Sequence, residues 1–161
     1  MRTSIYVYTA TKSIKPVTDY GAYIFAWTKD DGTPGTQAKI FEVENRNAAM
    51  AEIALLAAAF KKLDSYGTPC EVTVYTENLR TVAAIESWLP KWKARDWIKS
   101  NGEPADELYK ILDGYMARHS VHVSSEHGEY MSWLITNTSL AKEKREKACL
   151  INLETLTRSG R

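Results

Sequence analysis

The chain has 161 residues, of which 44% are hydrophobic and 25% are charged, and its formal net charge is +1. These values are typical of one folded domain around a single core and exclude a disordered polyelectrolyte. Because the net charge is so small, contact with a polyanion would need a local basic patch. No apolar run approaches the roughly 20 residues of a membrane span, and no secretory signal opens the chain. We therefore expect a cytoplasmic, monomeric domain over 1–161, with an ordered core at about 4–156 and a frayed tail at 157–161.

The first half of the chain predicts an antiparallel meander followed by a buried helix. Three segments rich in β-branched and aromatic residues predict strands, at 4–10, 20–27 and 37–44. The Asp- and Gly-containing segment 30–35 predicts the turn between the second and third strands. Asn45 is expected to cap a helix over 48–63, whose apolar residues almost surround it.

The second half predicts one strand paired in parallel, one further strand and three helices. A strand that follows a long helix favours a crossover connection and parallel pairing. We expect a helix to stop near Pro90, and the next to place Leu108, Ile111, Leu112 and Tyr115 on one face. The expected segments are strand 71–76, helix 79–89, helix 104–118, strand 120–124 and helix 132–156.

The cysteines and two of the histidines suit structural roles. Cys70 and Cys149 have no metal-ligand spacing and lie in apolar patterns, which predicts reduced core thiols. His119 and His122 flank or lie in the last strand with no partner at ligand spacing, which predicts structural or surface positions.

One segment, 88–99, interleaves tryptophan with basic residues. Lys91, Lys93, Arg95 and Lys99 stand against the single acid Asp96, a local net charge of +3. Such a patch can neutralise phosphates, although a solvated helix face explains the lysines equally well. Trp88 and Trp92, four residues apart, are expected to pack on each other and on the core rather than to stack on bases.

In order and spacing, these motifs resemble ribonuclease HI and the wider ribonuclease H-like family. The resemblance covers nearly the whole chain, and the Trp-x-x-x-Trp-Lys-x-Arg-x-Trp segment is its most specific part. It implies an α/β fold with a five-stranded mixed sheet flanked by helices, in the order βββ-α-β-α-α-β-α. The segments that carry it are 7–11, 20–24, 45–53, 74–78, 88–97 and 127–128.

The resemblance also implies an activity. Members of the family cleave the RNA strand of an RNA/DNA hybrid with two divalent metal ions, Mg²⁺ or Mn²⁺. The family holds these metals with four carboxylates, and their positions fall here on Ala10, Ala48, Glu77 and Asn137. A second alignment puts Thr138 in place of Asn137. The family's loop histidine falls on His127, or on Glu126 in that second alignment. Thr11 stands where the family usually has a glycine after the first carboxylate.

Only one of the four carboxylates remains, so we expect weak or no metal binding at Glu77 and no cleavage by the family mechanism. Glu52 lies one helical turn after Ala48 and is a possible substitute ligand, although an acid there is expected to pair with a lysine or reach solvent. The resemblance assigns contact with the hybrid to Asn45, Arg46, Asn78, Arg80 and the basic residues at 91, 93, 95 and 99. Amide side chains can both donate to and accept from a ribose 2′-hydroxyl.

Three functions follow as hypotheses. The first is a catalytically degenerate ribonuclease H-like domain that binds an RNA/DNA hybrid or a related duplex. The second is an active ribonuclease, or one inactivated by deliberate substitution of the two alanines. The third is a protein-interaction module on the same fold.

Overall fold

A five-stranded mixed sheet forms the centre of the molecule. The computed structural model describes residues 2–159, with side chains described for 2–146. The sheet order is β3-β2-β1-β4-β5, as the resemblance implies. Its first three strands form the expected antiparallel meander, whereas β4 pairs in parallel with β1 and β5 in parallel with β4. The strands are β1 (Arg2–Thr9), β2 (Val17–Thr28), β3 (Pro34–Arg46), β4 (Glu71–Tyr75) and β5 (Ser120–Ser124).

Alternation along β1 gives the sheet its two packed faces. Ile5 and Val7 point into the main core with helix α1 (Ala48–Asp64). Tyr6, between them, points to the opposite face and packs with Met131 and Leu134 of helix α5 (Met131–Ser159). Because successive strand residues face opposite sides, one buried central strand supplies both layers.

Helix α1 is largely buried, as its composition predicts, but its cap differs from the prediction. The side-chain Oδ1 of Asn47 accepts a hydrogen bond from the Met50 amide at 2.9 Å, so Asn47 is the N-cap. Asn45 was expected in that role. It has a φ of 52° and precedes the helix by two residues, in the left-handed conformation that asparagine tolerates.

The expected stop near Pro90 is wrong. Helix α2 (Leu79–Ala83) passes through one turn of π-helix, Ala84–Trp88, into helix α3 (Leu89–Ala94). Pro90 lies in the first turn of α3, where its missing N–H costs least. The wider π turn supplies the local change in hydrogen bonding that lets the helical run continue.

Helix α4 (Glu107–Met116) is shorter than expected and is rotated from the predicted face. Its buried residues are Tyr109, Leu112 and Met116, whereas Ile111 is 44% exposed. Ile111 was assigned to the buried face, and its exposure corrects that assignment.

Cys70 and His119 have the structural roles that the sequence predicts. Cys70 is a buried free thiol, and its amide donates to Nδ1 of His119 at 3.1 Å. Nε2 of His119 lies 2.6 Å from Asp64 Oδ1, tying the start of β5 to the end of α1. His122 is exposed on β5. Cys149 lies outside the residues whose side chains are described.

Two further predictions concern the carboxyl end of the chain and the absence of a membrane-spanning helix. The backbone of α5 extends to Ser159, residues 160 and 161 lie outside the described residues, and the fraying of 157–161 stays a prediction. None of the helices described here is both long and apolar enough to cross a membrane.

Candidate nucleic-acid-binding cleft and basic segment

A cleft of about 650 Å³ opens where the ends of β1 and β4 meet the start of α1. The carboxyl ends of parallel neighbours such as β1 and β4 lie at one edge of a sheet, and α1 begins beside that edge. The lining residues are Val7, Tyr8, Thr9, Thr11, Lys12, Ser13, Ile14, Asn47, Ala48, Ala49, Glu52, Glu77, Asn78, Leu79, Arg80 and Met131. The cleft therefore includes Ala48 and Glu77, two of the positions to which the resemblance assigns metal ligands.

Glu52 lines this cleft on the same face of α1 as Ala48, and it does not reach solvent, although the charge of Lys12 acts on it and opposes the rise in its pKa that burial causes. It is 3% exposed, and the Thr76 hydroxyl donates a hydrogen bond to its Oε1. Burial raises the pKa of the Glu52 carboxyl, and the hydrogen bond from Thr76 opposes that rise. The carboxyl group is held against the end of β4, where it is already bonded.

Glu77 and His127 are brought together, as their assignment to one site implies. Nδ1 of His127 lies 2.5 Å from Glu77 Oε1, and Nε2 lies 2.6 Å from Ser132 Oγ. Both ring nitrogens of His127 are therefore engaged. The imidazole thus links the end of β4 to the first turn of α5, and Glu77 is engaged within the protein. Nothing in the sequence identified Ser132.

Gly128 explains how the loop before α5 brings His127 to this position. Its φ is +73°, and a Cβ there would fall 2.7 Å from Cε1 of Tyr6. Both the left-handed backbone and the close approach to the ring require glycine. The loop consequently turns tightly against β1.

The other assigned ligand positions offer no carboxylate. Ala10 follows β1, and its amide donates to the Tyr20 carbonyl at 2.8 Å. The side-chain amide of Asn137 donates to the Trp133 carbonyl within its own helix. Thr138, the alternative position, is fully buried, and its hydroxyl donates to the Leu134 carbonyl. Within residues 2–146, no three His, Cys, Asp or Glu side chains lie together as a metal site would require.

Two basic side chains line the cleft. Lys12 lies in the loop after β1, and Arg80 is in the first turn of α2. Neither forms an ion pair with another described residue. Sequence reasoning selected Arg80 but missed Lys12. The one signal for this loop was Thr11, the neighbour of Lys12, which stands where the family usually has a glycine.

The basic segment 88–99 is built on packed tryptophans, as predicted. The Trp88 and Trp92 rings stack with centroids 5.9 Å apart, and Trp92 meets the Tyr109 ring edge-on at 5.0 Å. After α3 the chain turns through left-handed Asp96 and Trp97, and the Lys99 amide then bonds the Glu103 carbonyl. The tryptophans are therefore the support of the segment and leave its polar side chains at the surface.

The basic residues of this segment do not line the cleft. Lys91, Lys93 and Arg95 are exposed and Lys99 is half-buried. Lys93 is partly committed, because its Nζ lies 3.1 Å from Asp113 Oδ2. The other three have no ion pair with a described residue.

Of the asparagine and arginine residues that the resemblance assigns to contact with the hybrid, some line the cleft and others lie outside it. Asn78 lines the cleft and caps α2, because its side chain accepts a hydrogen bond from the Arg80 amide at 3.0 Å. Asn45 and Arg46 lie at the end of β3 and outside the lining of the cleft. Asn45 is exposed, and its amide donates to the Thr18 hydroxyl.

Comparison with known proteins identifies the family. The model of the family described as RNase H matches residues 2–128, most of the chain. This chain belongs to the ribonuclease H family. Ribonuclease HI of Caulobacter vibrioides is 30% identical over 126 residues, which are 74% of this chain and 76% of that protein.

Solved ribonuclease H structures confirm the fold. LC9-RNase H1, a type 1 RNase H with the type 2 active-site motif, superposes with a TM-score of 0.70 at 14% identity over 88% of this chain and 72% of that one. The foamy viral protease-reverse transcriptase in complex with RNA/DNA hybrid gives a TM-score of 0.58 at 12% identity, over 88% of this chain and 19% of that chain. At these identities the likeness supports the ribonuclease H-like fold.

Proposed function

We propose that this chain binds an RNA/DNA hybrid or a related duplex and does not cleave it by the two-metal mechanism of its family. The proposal rests on the residues that occupy the assigned ligand positions in the cleft. Glu77, the remaining carboxylate of the assigned set, is bonded to His127, while Ala48 stands at a second ligand position and lines the same cleft.

Two-metal hydrolysis would need several carboxylates converging on one point. The bound metals would activate a water and stabilise the leaving oxygen, and closely spaced divalent ions need anionic oxygen ligands around them. Here Ala10 and Ala48 offer no ligand, and Asn137 bonds its own helix. Mg²⁺ and Mn²⁺ therefore do not fit the residues present.

Binding is supported by the basic segment and by the relatives. Lys91, Arg95 and Lys99 have no ion pair with a described residue, and the stacked tryptophans beneath them fix the local backbone. A packed backbone of this kind holds the three cations at the surface, where they can neutralise phosphates. A solved ribonuclease H-fold protein, the foamy viral protease-reverse transcriptase, is complexed with an RNA/DNA hybrid, the ligand we propose here.

One observation favours the alternative, an active nuclease with a rearranged carboxylate set. Glu52 and Glu77 line the same cleft. This alternative requires Glu52 to leave Thr76 and Glu77 to leave His127 when a metal binds. It predicts cleavage that disappears in Glu77→Ala and in Glu52→Gln.

Binding and cleavage are tested together on one fluorescently labelled RNA/DNA hybrid. Anisotropy at two salt concentrations measures binding, and a denaturing gel of the same samples in Mg²⁺ and Mn²⁺ measures cleavage. We expect salt-sensitive binding and an intact RNA strand. Absence of binding at low salt would contradict the proposal and favour a protein-interaction module.

A further inference from the structure

The cleft is lined by two basic side chains beside its two carboxyl groups. Its charged lining residues are Lys12, Arg80, Glu52 and Glu77. Neither cation forms an ion pair with a described residue, although Lys12 lies close enough to Glu52 to oppose the rise in its pKa that burial causes. Glu77 is hydrogen-bonded to His127, and Glu52 is buried behind the Thr76 hydroxyl. Lys12 and Arg80 are therefore the charged groups of the cleft that have no hydrogen-bonded partner among the described residues.

Helix α1 adds to the positive field of Lys12 and Arg80. Ala48 and Ala49 line the cleft, so the amino end of a 17-residue helix opens onto it. The first turn of α1 contains no acidic residue, because alanine stands where the family has a glutamate. Several amides there are already bonded, Ala48 to the Ser13 carbonyl and Met50 to Asn47, so the helix acts mainly through its dipole.

A buried hydroxyl in the same cleft lacks a partner. Thr9 is 5% exposed, it lines the cleft, and its Oγ1 makes no hydrogen bond. Leaving a buried hydroxyl without a partner costs roughly 1–3 kcal/mol. A ligand oxygen in the cleft would satisfy it.

We propose that this cleft binds a phosphate group directly, with Lys12 and Arg80 as its counter-charges, and without a divalent cation. The loss of the carboxylates thus converts a place suited to metals into one suited to the phosphate itself. The Thr9 hydroxyl donates to a phosphate oxygen, and the amino end of α1 stabilises the negative charge. Where the phosphate belongs to a bound nucleic-acid strand, this inference rests on the proposed function.

The first test measures binding of the labelled hybrid to the full chain in EDTA and in Mg²⁺. Lys12→Gln and Arg80→Gln are compared with Lys61→Gln, which removes the same charge at the opposite end of α1, about 20 Å away. At matched ionic strength, we expect the affinity of the parent chain in Mg²⁺ to be no higher than in EDTA. Each cleft variant should bind about three- to tenfold more weakly at low salt, with the slope of log affinity against log salt reduced by about one, and Lys61→Gln should bind like the parent.

A second variant separates the inference from loss of folding. Ala48→Glu restores a carboxylate at the amino end of α1, where it favours the helix dipole and should preserve or raise the melting temperature. In EDTA the same variant should weaken binding of the hybrid, because a negative charge then faces the phosphate. Binding that needs Mg²⁺, or equal affinity in Lys12→Gln, Arg80→Gln and Lys61→Gln, would overturn the inference while leaving the proposed function intact.

Inorganic phosphate distinguishes the two possible failures. Titrated into the isotopically labelled chain in EDTA, it should shift the amide resonances of Thr9, Ala48 and Ala49 but not that of Lys61. If the hybrid does not bind and phosphate still shifts these resonances, the proposed function fails and the phosphate site stands. If phosphate shifts none of them, the cleft does not hold the phosphate group and the inference fails.

Discussion

At the scale of single residues, the two carboxyl groups of the cleft have different partners. Glu52 is buried and accepts from Thr76, whereas Glu77 is half-exposed and bonded to His127. A carboxyl group that lies in the protein interior prefers its neutral form. Glu52 therefore influences stability, whereas Glu77 fixes the loop before α5.

Glu52→Gln should make the protein more stable at neutral pH. Burial raises the pKa of Glu52, so the folded chain keeps this proton to a higher pH than the unfolded chain does. The free energy of unfolding then falls as pH rises through the interval between the two pKa values, and glutamine removes that loss. Urea unfolding at about pH 4 and about pH 7 should show a gain for Glu52→Gln that is larger at the higher pH.

The exposed Glu86 provides the control for that comparison. Glu86→Gln should change stability equally at both pH values. A gain for Glu52→Gln that is absent at about pH 7, or greater at about pH 4, would contradict the burial argument.

Sequence reasoning identified the residues of the cleft better than their contacts. Glu77, His127 and Glu52 were selected in advance, because motif spacing and the helical repeat depend only on positions along the chain. The bond between Thr76 and Glu52, and the one between His127 and Ser132, depend on how separate elements pack. No local pattern encodes those contacts.

At the scale of elements, the start of α1 decides what faces the cleft. Asn47 caps the helix, and Asn45 lies in a left-handed conformation before it. Two asparagines two residues apart are equally good caps by residue type, so the sequence could not choose between them. The register of β3 against β2 carries the strand as far as Arg46 and leaves Asn47 as the capping residue.

Replacing the cap should weaken α1 measurably. Asn47→Ala removes the bond to the Met50 amide and should lower the free energy of unfolding by about 1 kcal/mol in urea unfolding. Asn45→Gly, which suits the positive φ, should change it by less than about 0.5 kcal/mol. The reverse order of the two effects would show that Asn45 is the cap after all.

Substitutions in the basic segment 88–99 should affect binding of the hybrid and stability of the fold independently. Lys91→Gln and Arg95→Gln change exposed residues, so each should leave the melting temperature unchanged and reduce the salt slope of hybrid binding by about one. Trp92→Ala removes contacts with Trp88 and Tyr109 and should destabilise the fold by about 2–3 kcal/mol. Unchanged hybrid affinity in both charge variants would show that the segment does not contact nucleic acid.

At the scale of the whole molecule, element order and alternation predicted the sheet well. The antiparallel meander, the crossover after α1 and the parallel pairing of β4 follow from local patterns and chain connectivity. The continuation of the helical run through Pro90 was not predicted, because a π turn depends on how α2 packs on α1 and α3 on α4 rather than on local propensity. The rotation of α4, which exposes Ile111, likewise depends on contacts with α1 and α3.

The molecule as a whole combines a retained fold with an altered cleft. The ribonuclease H-like sheet and the basic segment are present, while Ala10, Ala48 and Asn137 stand at three of the four positions to which the resemblance assigns carboxylates. The residues proposed to contact phosphates lie at other positions. The absence of the three carboxylates therefore leaves the proposed binding residues in place.

The most direct test incubates the chain with a labelled RNA/DNA hybrid, at a concentration where anisotropy shows the hybrid bound, in Mg²⁺ and separately in Mn²⁺. The Caulobacter vibrioides ribonuclease HI serves as the reference enzyme under the same conditions. We predict that the bound RNA strand stays intact in both metals. Metal-dependent cleavage of the RNA strand by the chain, abolished in Glu77→Ala, would contradict the account.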